Sequence, residues 1–323
     1  MRTRLQLERG QIVFYLAAIA VGAVLGWNVP AAAPALEKLL WPVLGMLLYV
    51  TFAQVPLLEV RSVLGNGRFL AALLIANFAV VPPVVWLLAR WLPPDPMILL
   101  GVYLVLLAPC TDWFVSFTLL GRGDARLAIA ATPILLFAQM LLVPAWLWLF
   151  LGGDLAGVIR AGKFLEAFFG LILLPLALVA LTEAAARRSQ RCGAWLRLTA
   201  WLPVPLLALT VLLIAGAQIR AVRGAWAVLG AATVVFVAFA LLTPFLARFV
   251  ARRLGLPPAT QRTVIFSTGT RNSFVVLPLA LALPSGGEVA AALIVLQSLV
   301  ELVAMVAYLW WVPGRLVPAP PSS

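Results

Sequence analysis

An all-α protein that crosses a membrane ten times, as two inverted repeats of five helices, is the fold class this sequence predicts. Three observations predict it. The 323 residues are 64% hydrophobic and only 11% charged, with a mean hydropathy of +1.09, whereas soluble domains are about half apolar and about a quarter charged. The apolar residues fall into ten runs, each close to the roughly 20 residues a helix needs to span a bilayer. The fourth and ninth runs carry matched interruptions, Leu106-Leu107-Ala108-Pro109-Cys110-Thr111-Asp112 and Ser267-Thr268-Gly269-Thr270-Arg271-Asn272-Ser273.

In order, the runs cover about 11–27, 39–57, 69–92, 97–120, 126–151, 164–182, 198–219, 226–249, 259–283 and 289–312. The first lacks a small-residue cleavage site, so it reads as a retained span rather than a removed signal peptide. Pro82-Pro83 in the third run and Pro144 in the fifth read as kinks. Gln54, Asn77 and Gln139 are single polar residues on apolar helices and read as interhelical glue. Trp91, Trp146, Trp148, Trp310 and Trp311 read as interfacial anchors. Sixteen basic residues fall on the side of the N-terminus and six on the other, with Arg271 inside the ninth run. The positive-inside rule then places both termini in the cytoplasm of an inner-membrane protein.

The halves resemble each other. Thr111-Asp112-Trp113-Phe114-Val115 aligns, with one gap, on Thr270-Arg271-Asn272-Ser273-Phe274-Val275, and Gln139 in the fifth run matches Gln297 in the tenth. Five helices per half is an odd number, so the second half inserts upside down, as in secondary transporters whose sites lie on discontinuous helices. Residues 1–155 and 156–316 are expected as the two repeats, and 317–323 as a disordered tail.

Composition excludes several classes. The chain has no histidine and only two cysteines, Cys110 and Cys192. Histidine acid–base chemistry, histidine metal sites and a disulfide framework are therefore out. No nucleophile–base pair, metal cluster or phosphate loop is evident, so neither an enzyme nor a cofactor or metal is expected. The formal charge of +12 reads as loop arginines that set topology, not as a nucleic-acid surface. The expected partners are the bilayer and a small solute.

The interruptions hold the candidate site. Pro109, Thr268, Gly269 and Thr270 read as the helix breaks, and broken backbone inside a membrane must be buried in protein or line a cavity. Ionisable residues there are functional candidates by default. Asp112 and Arg271 occupy matched places, so they read as a charge pair, with Arg271 as a tethered cation. Half-helix N-termini at the breaks favour anions. Cys110 is a soft donor that suits a thiol-seeking centre; its other reading is a small buried hydrophobe. Glu301 follows Gln297 by four residues, so both share one helical face, and Glu301 is a candidate proton carrier or a packing group.

Thr268-Gly269-x-x-Asn272-Ser273 in the ninth run resembles the bile acid:sodium symporter superfamily. Cys110 at the fourth-run break, with Gly-Arg-Gly-Asp (121–124) opening the next helix, resembles its arsenical-resistance permease branch. The resemblance implies ten helices in a panel domain and a core domain, with broken helices four and nine crossing. It implies efflux of arsenite or antimonite past Cys110, with Thr111, Asn272 and Ser273 as further substrate contacts. Two departures stand out. The permease branch implies a carboxylate at Phe274 or Val275. The sodium-coupled branch implies a glutamate at Ser267 and a glutamine at Arg271, both sodium ligands. The alternative function is sodium-coupled symport of a small organic anion.

Overall fold

The computed structural model describes residues 2–54, 65–111, 113–158, 161–186, 188–220, 226–281 and 287–318. These residues are nearly all helical. In chain order the helices are α1 (Arg2–Asn28), α2 (Ala33–Phe52), α3 (Gly67–Ala89), α4 (Pro96–Leu107), α5 (Trp113–Leu120), α6 (Ala125–Val158), α7 (Ala161–Ala186), α8 (Gln190–Thr199), α9 (Pro203–Gln218), α10 (Trp226–Arg253), α11 (Pro258–Gly269), α12 (Ser273–Leu281) and α13 (Gly287–Trp311). Among them five are long and apolar enough to cross a membrane: α2 with its leading turn, α3, α6 up to Gly152, α10, and α13 with the π turn that follows it. α8 and α9 form a further candidate as a pair bent by 52°. The fourth and ninth runs are absent from this group because each is split into two short helices. The chain is a multi-pass membrane protein.

The chain divides into two compact units, each drawn from both halves of the sequence. One comprises Met1–Gln54, Arg160–Trp226 and Leu277–Ala292; the other comprises Val55–Ile159, Ala227–Val276 and Leu293–Ser323. In the first unit α1 packs on α9, α9 on α2, α2 on α7 and α7 on α8. Gly22 and Gly26 make the first contact: a Cβ at either would run into the backbone carbonyl of Leu212 or Gly216 on α9. This is small-residue packing at four-residue spacing, which lets apolar helices approach closely when water supplies no driving force. Arg220 then caps the end of α1, donating Nη2 to the Trp27 carbonyl at 2.7 Å.

The run expected at 198–219 starts later, at Pro203, and α8 occupies the stretch before it. Cys192 lies on α8. The reason is composition: α8 mixes Gln190, Arg191 and Arg197 with Trp195 and Leu198, so it is helical without being apolar enough to register as a span.

In the second unit the ends of the helices are set by local chemistry. Asp95 accepts from the Met97 and Ile98 amides at 2.9 and 3.1 Å, with Pro96 in the first helical position of α4. α3 contains a π turn, Ala76–Val80, one residue before Pro82 and Pro83; prolines remove donors that an α-helix needs, and the ladder is reset there. The Gly121–Asp124 turn lies against α11. Asp124 donates its amide to Thr263 Oγ1 at 2.8 Å, and a Cβ at Gly123 would come within 2.6 Å of Thr118 Cγ2. Arg262 fastens the same corner, donating to the Arg122 carbonyl at 2.7 Å and the Val317 carbonyl at 2.9 Å.

Candidate functional site

Both interruptions leave the helical path at an extended residue. Ala108 ends α4 at φ −95°, ψ 107°, and Thr270 ends α11 at φ −102°, ψ 142°. The two extended segments lie side by side as an antiparallel bridge between Pro109 and Arg271. The Cys110 amide donates to the Thr270 carbonyl at 3.2 Å, and the Asn272 amide donates to the Ala108 carbonyl at 2.8 Å. Each break thus supplies the hydrogen bonds that the other lost on leaving the helix, which is the condition for irregular backbone inside an apolar bundle.

Arg271 is 2% exposed. Its Nη1 donates to the Leu106 carbonyl at 3.1 Å. Its Nη2 donates to Asn77 Oδ1 at 2.9 Å and to the carbonyls of Ser267 and Thr268 at 3.1 and 2.5 Å. The guanidinium carbon lies 5.3 Å from the centre of the Phe239 ring, a cation–π distance. Three of these acceptors are carbonyls in the last turns of α4 and α11. Helix C-termini carry unsatisfied carbonyls and a partial negative charge, so two half-helices converge on one tethered cation.

Asn77 belongs to the π turn of α3. It also donates Nδ2 to the Leu73 carbonyl at 3.0 Å and to Ser267 Oγ at 3.2 Å. Expected as interhelical glue, it is found on Arg271. Two signals bear on this: a lone amide in an apolar run, and the proline pair that follows. Phe239 gives no such signal, since one aromatic on α10 looks like any other core residue. Asp112, the expected partner of Arg271, lies outside the described residues. The carboxylate that the structure brings to Arg271 is Glu301, whose Oε2 accepts the Arg271 backbone amide at 2.9 Å.

Glu301 heads a short polar chain on α13. Gln297 Nε2 donates to Glu301 Oε2 at 2.9 Å, and Ser273 Oγ donates to Gln297 Oε1 at 3.2 Å. On the other side, Asn272 Nδ2 donates to Thr111 Oγ1 at 3.2 Å and reaches Gln139 Oε1 at 3.5 Å. Gln139 is buried, and its Nε2 has no hydrogen-bond partner among the described residues. Cys110 and Thr111 are buried at the bridge. Thr268 takes part through its carbonyl, while its hydroxyl bonds back to Val264. Gly269 admits α13, since a Cβ there would come within 2.7 Å of the Tyr308 ring. Thr270 returns its hydroxyl to the Phe266 carbonyl at 2.8 Å.

This constellation fits a carrier better than an enzyme: a buried cation, a buried acid and amides gathered where two broken helices meet. Comparison with known families agrees. The model of the sodium bile acid symporter family matches residues 41–244. The chain belongs to that family. No curated protein matches it. As a sodium bile acid symporter family member it is a secondary transporter of a small molecule, embedded in a bilayer. The matched segment contains the first break but stops short of the second, which holds Ser267 and Arg271.

Proposed function

We propose that this family member is a sodium-independent exporter of arsenite or antimonite in the inner membrane. The reading has ten spans in a 5+5 inverted repeat, both termini in the cytoplasm, and protons as the coupling ion, carried by Glu301. The observation that carries it is the seat of Arg271. A hard cation needs several oxygen ligands, carbonyls and carboxylates among them. Here the Leu106, Ser267 and Thr268 carbonyls and Asn77 Oδ1 already serve a guanidinium. A cation that never dissociates cannot be a transported ion, so another source must drive the cycle. Glu301, hydrogen-bonded to the backbone of Arg271, is the ionisable group next to it.

The metalloid assignment rests on Cys110, a single soft donor at the bridge. One thiol binds trivalent arsenic reversibly, where three would hold it. Thr111, Asn272 and Ser273 are the adjacent hydroxyl and amide groups suited to the hydroxyls of the substrate. The family name favours a second reading, sodium-coupled symport of a small organic anion; the filled Arg271 seat weighs against it.

The test uses an efflux-deficient host. Wild-type chain should confer arsenite resistance; Cys110→Ser should abolish it at an unchanged protein level in the membrane, and Cys192→Ser should change nothing. Full resistance in Cys110→Ser removes the thiol from the transport path.

A further inference from the structure

The segment that joins α7 to α8 is basic. Residues 183–197 contain Arg187, Arg188, Arg191 and Arg197 against Glu183 alone. An open pocket of about 470 Å³ lies at this elbow, lined by Ala186, Arg188, Ser189, Gln190, Gly193 and Arg197. Gln190, Gly193 and Arg197 recur at three- and four-residue spacing, so they share one face of α8. Arg197 folds back along that face: its Nη1 lies 3.6 Å from where a Cβ on Gly193 would stand. The missing side chain of Gly193 is the space that the guanidinium borders.

The pocket is held in shape rather than formed on demand. Trp195 Nε1 donates to Tyr49 OH at 3.1 Å, and Tyr49 OH is 3.0 Å from Thr182 Oγ1. This chain ties α8 to α2 and α7, which fixes the angle of the elbow. The remaining surface is apolar. Trp195, Leu198 and Trp201 on the α8 side, with Leu181 on α7, are all exposed. On α8 Arg197 lies on the pocket face, and Trp195 and Leu198 lie on another face together with Arg191; a basic helix with exposed tryptophan and leucine suits a membrane interface. Clustered arginines there recognise anionic lipid.

We propose that Arg188 and Arg197 bind the phosphate of an anionic lipid headgroup in this pocket, with the acyl chains against the exposed Leu181, Trp195 and Leu198. Guanidinium suits this role because its planar fork meets two phosphate oxygens at once, which an ammonium does not. Inorganic phosphate offers the same oxygens. It has nothing to place on the apolar surface beside the pocket, so the lipid is the occupant.

The full chain in a neutral detergent is titrated with phosphatidylglycerol, with phosphatidylcholine, and with inorganic phosphate, following the midpoint of thermal unfolding. Phosphatidylglycerol should raise the midpoint and phosphatidylcholine should not. The double variant Arg188→Gln/Arg197→Gln should need about thirtyfold more phosphatidylglycerol for half the effect, the loss of both guanidinium contacts. Gly193→Leu, which fills the pocket without changing charge, should do the same. Arg253→Gln, which removes an exposed arginine on α10, should behave as wild type. Equal responses in the double variant and the wild type overturn the site. A response to inorganic phosphate equal to that to phosphatidylglycerol overturns the lipid as its occupant.

Discussion

The Arg271 guanidinium donates to three carbonyls and, among the described residues, to one side-chain oxygen, that of Asn77. Asn77→Ala deletes an acceptor from a buried guanidinium and leaves Ser267 Oγ without its amide donor. Hydrogen bonds to charged groups contribute about 1.5–3 kcal/mol, so the variant should lose stability of that order. The measurement is thermal unfolding of the detergent-solubilised chain, and an unchanged midpoint would show that Arg271 finds another acceptor. Arg271 and Cys110 were legible in the sequence because a charge or a thiol is conspicuous inside an apolar run. The partners of Arg271 were not: Asn77 precedes it by 194 positions, and the lone amide and the proline pair mark it as unusual without saying which distant residue it meets. The opposite charge at the matched position made Asp112 the natural choice. Asp112 lies outside the described residues; among the described ones, carbonyls of two helix ends surround the guanidinium, and no single-residue pattern encodes such a cluster.

The broken helices were the most legible elements, since a proline or a polar run inside twenty apolar residues rarely means anything but a break. α8 was the least, because its arginines hide it from any search for apolar runs. The close pairing of α1 with α9 also went unread, although Gly22 and Gly26 stand four apart in plain view. Glycines are common in apolar helices, and only the carbonyls of Leu212 and Gly216 opposite give these two a purpose. They set up a contrast with Gly45 on α2, where a Cβ would meet nothing within 4 Å. Gly45→Ala should stabilise by about 0.4–1 kcal/mol through the unfolded chain. Gly26→Ala drives a methyl into the Gly216 carbonyl and should destabilise by about 1–3 kcal/mol, the usual cost of overpacking. Unfolding midpoints of the two variants should move in opposite directions; a parallel shift would mean that α1 and α9 can separate freely.

At the scale of the whole molecule, the proposed reading has one ion driving the cycle, and sodium and the proton make opposite predictions. In proteoliposomes, replacing sodium with choline should leave arsenite flux nearly unchanged, while collapsing the proton gradient should stop it. Glu301→Gln keeps an oxygen for the Arg271 amide but carries no charge. Its flux should therefore lose its dependence on the proton gradient, with the chain still folded. A flux that climbs with sodium would return the protein to the sodium-coupled reading. The membrane class was legible from composition alone. The two compact units were not, because each gathers segments from both ends of the chain, and apolar periodicity says only that a helix is buried, not against which neighbour.

The paired breaks have a consequence for how the backbone breathes. The amides of Cys110 and Asn272 are donated across the bridge, one in each direction, and Pro109 has no amide to add a further rung. Neither bond can open by the fraying of a single helix end; both open only when the two segments part. Their amide hydrogens should therefore exchange with solvent deuterium at one common rate, as a single cooperative opening. Exchange at two unrelated rates would mean that the segments move independently. A common rate that rises when arsenite is added would clock the parting of the segments during the transport cycle.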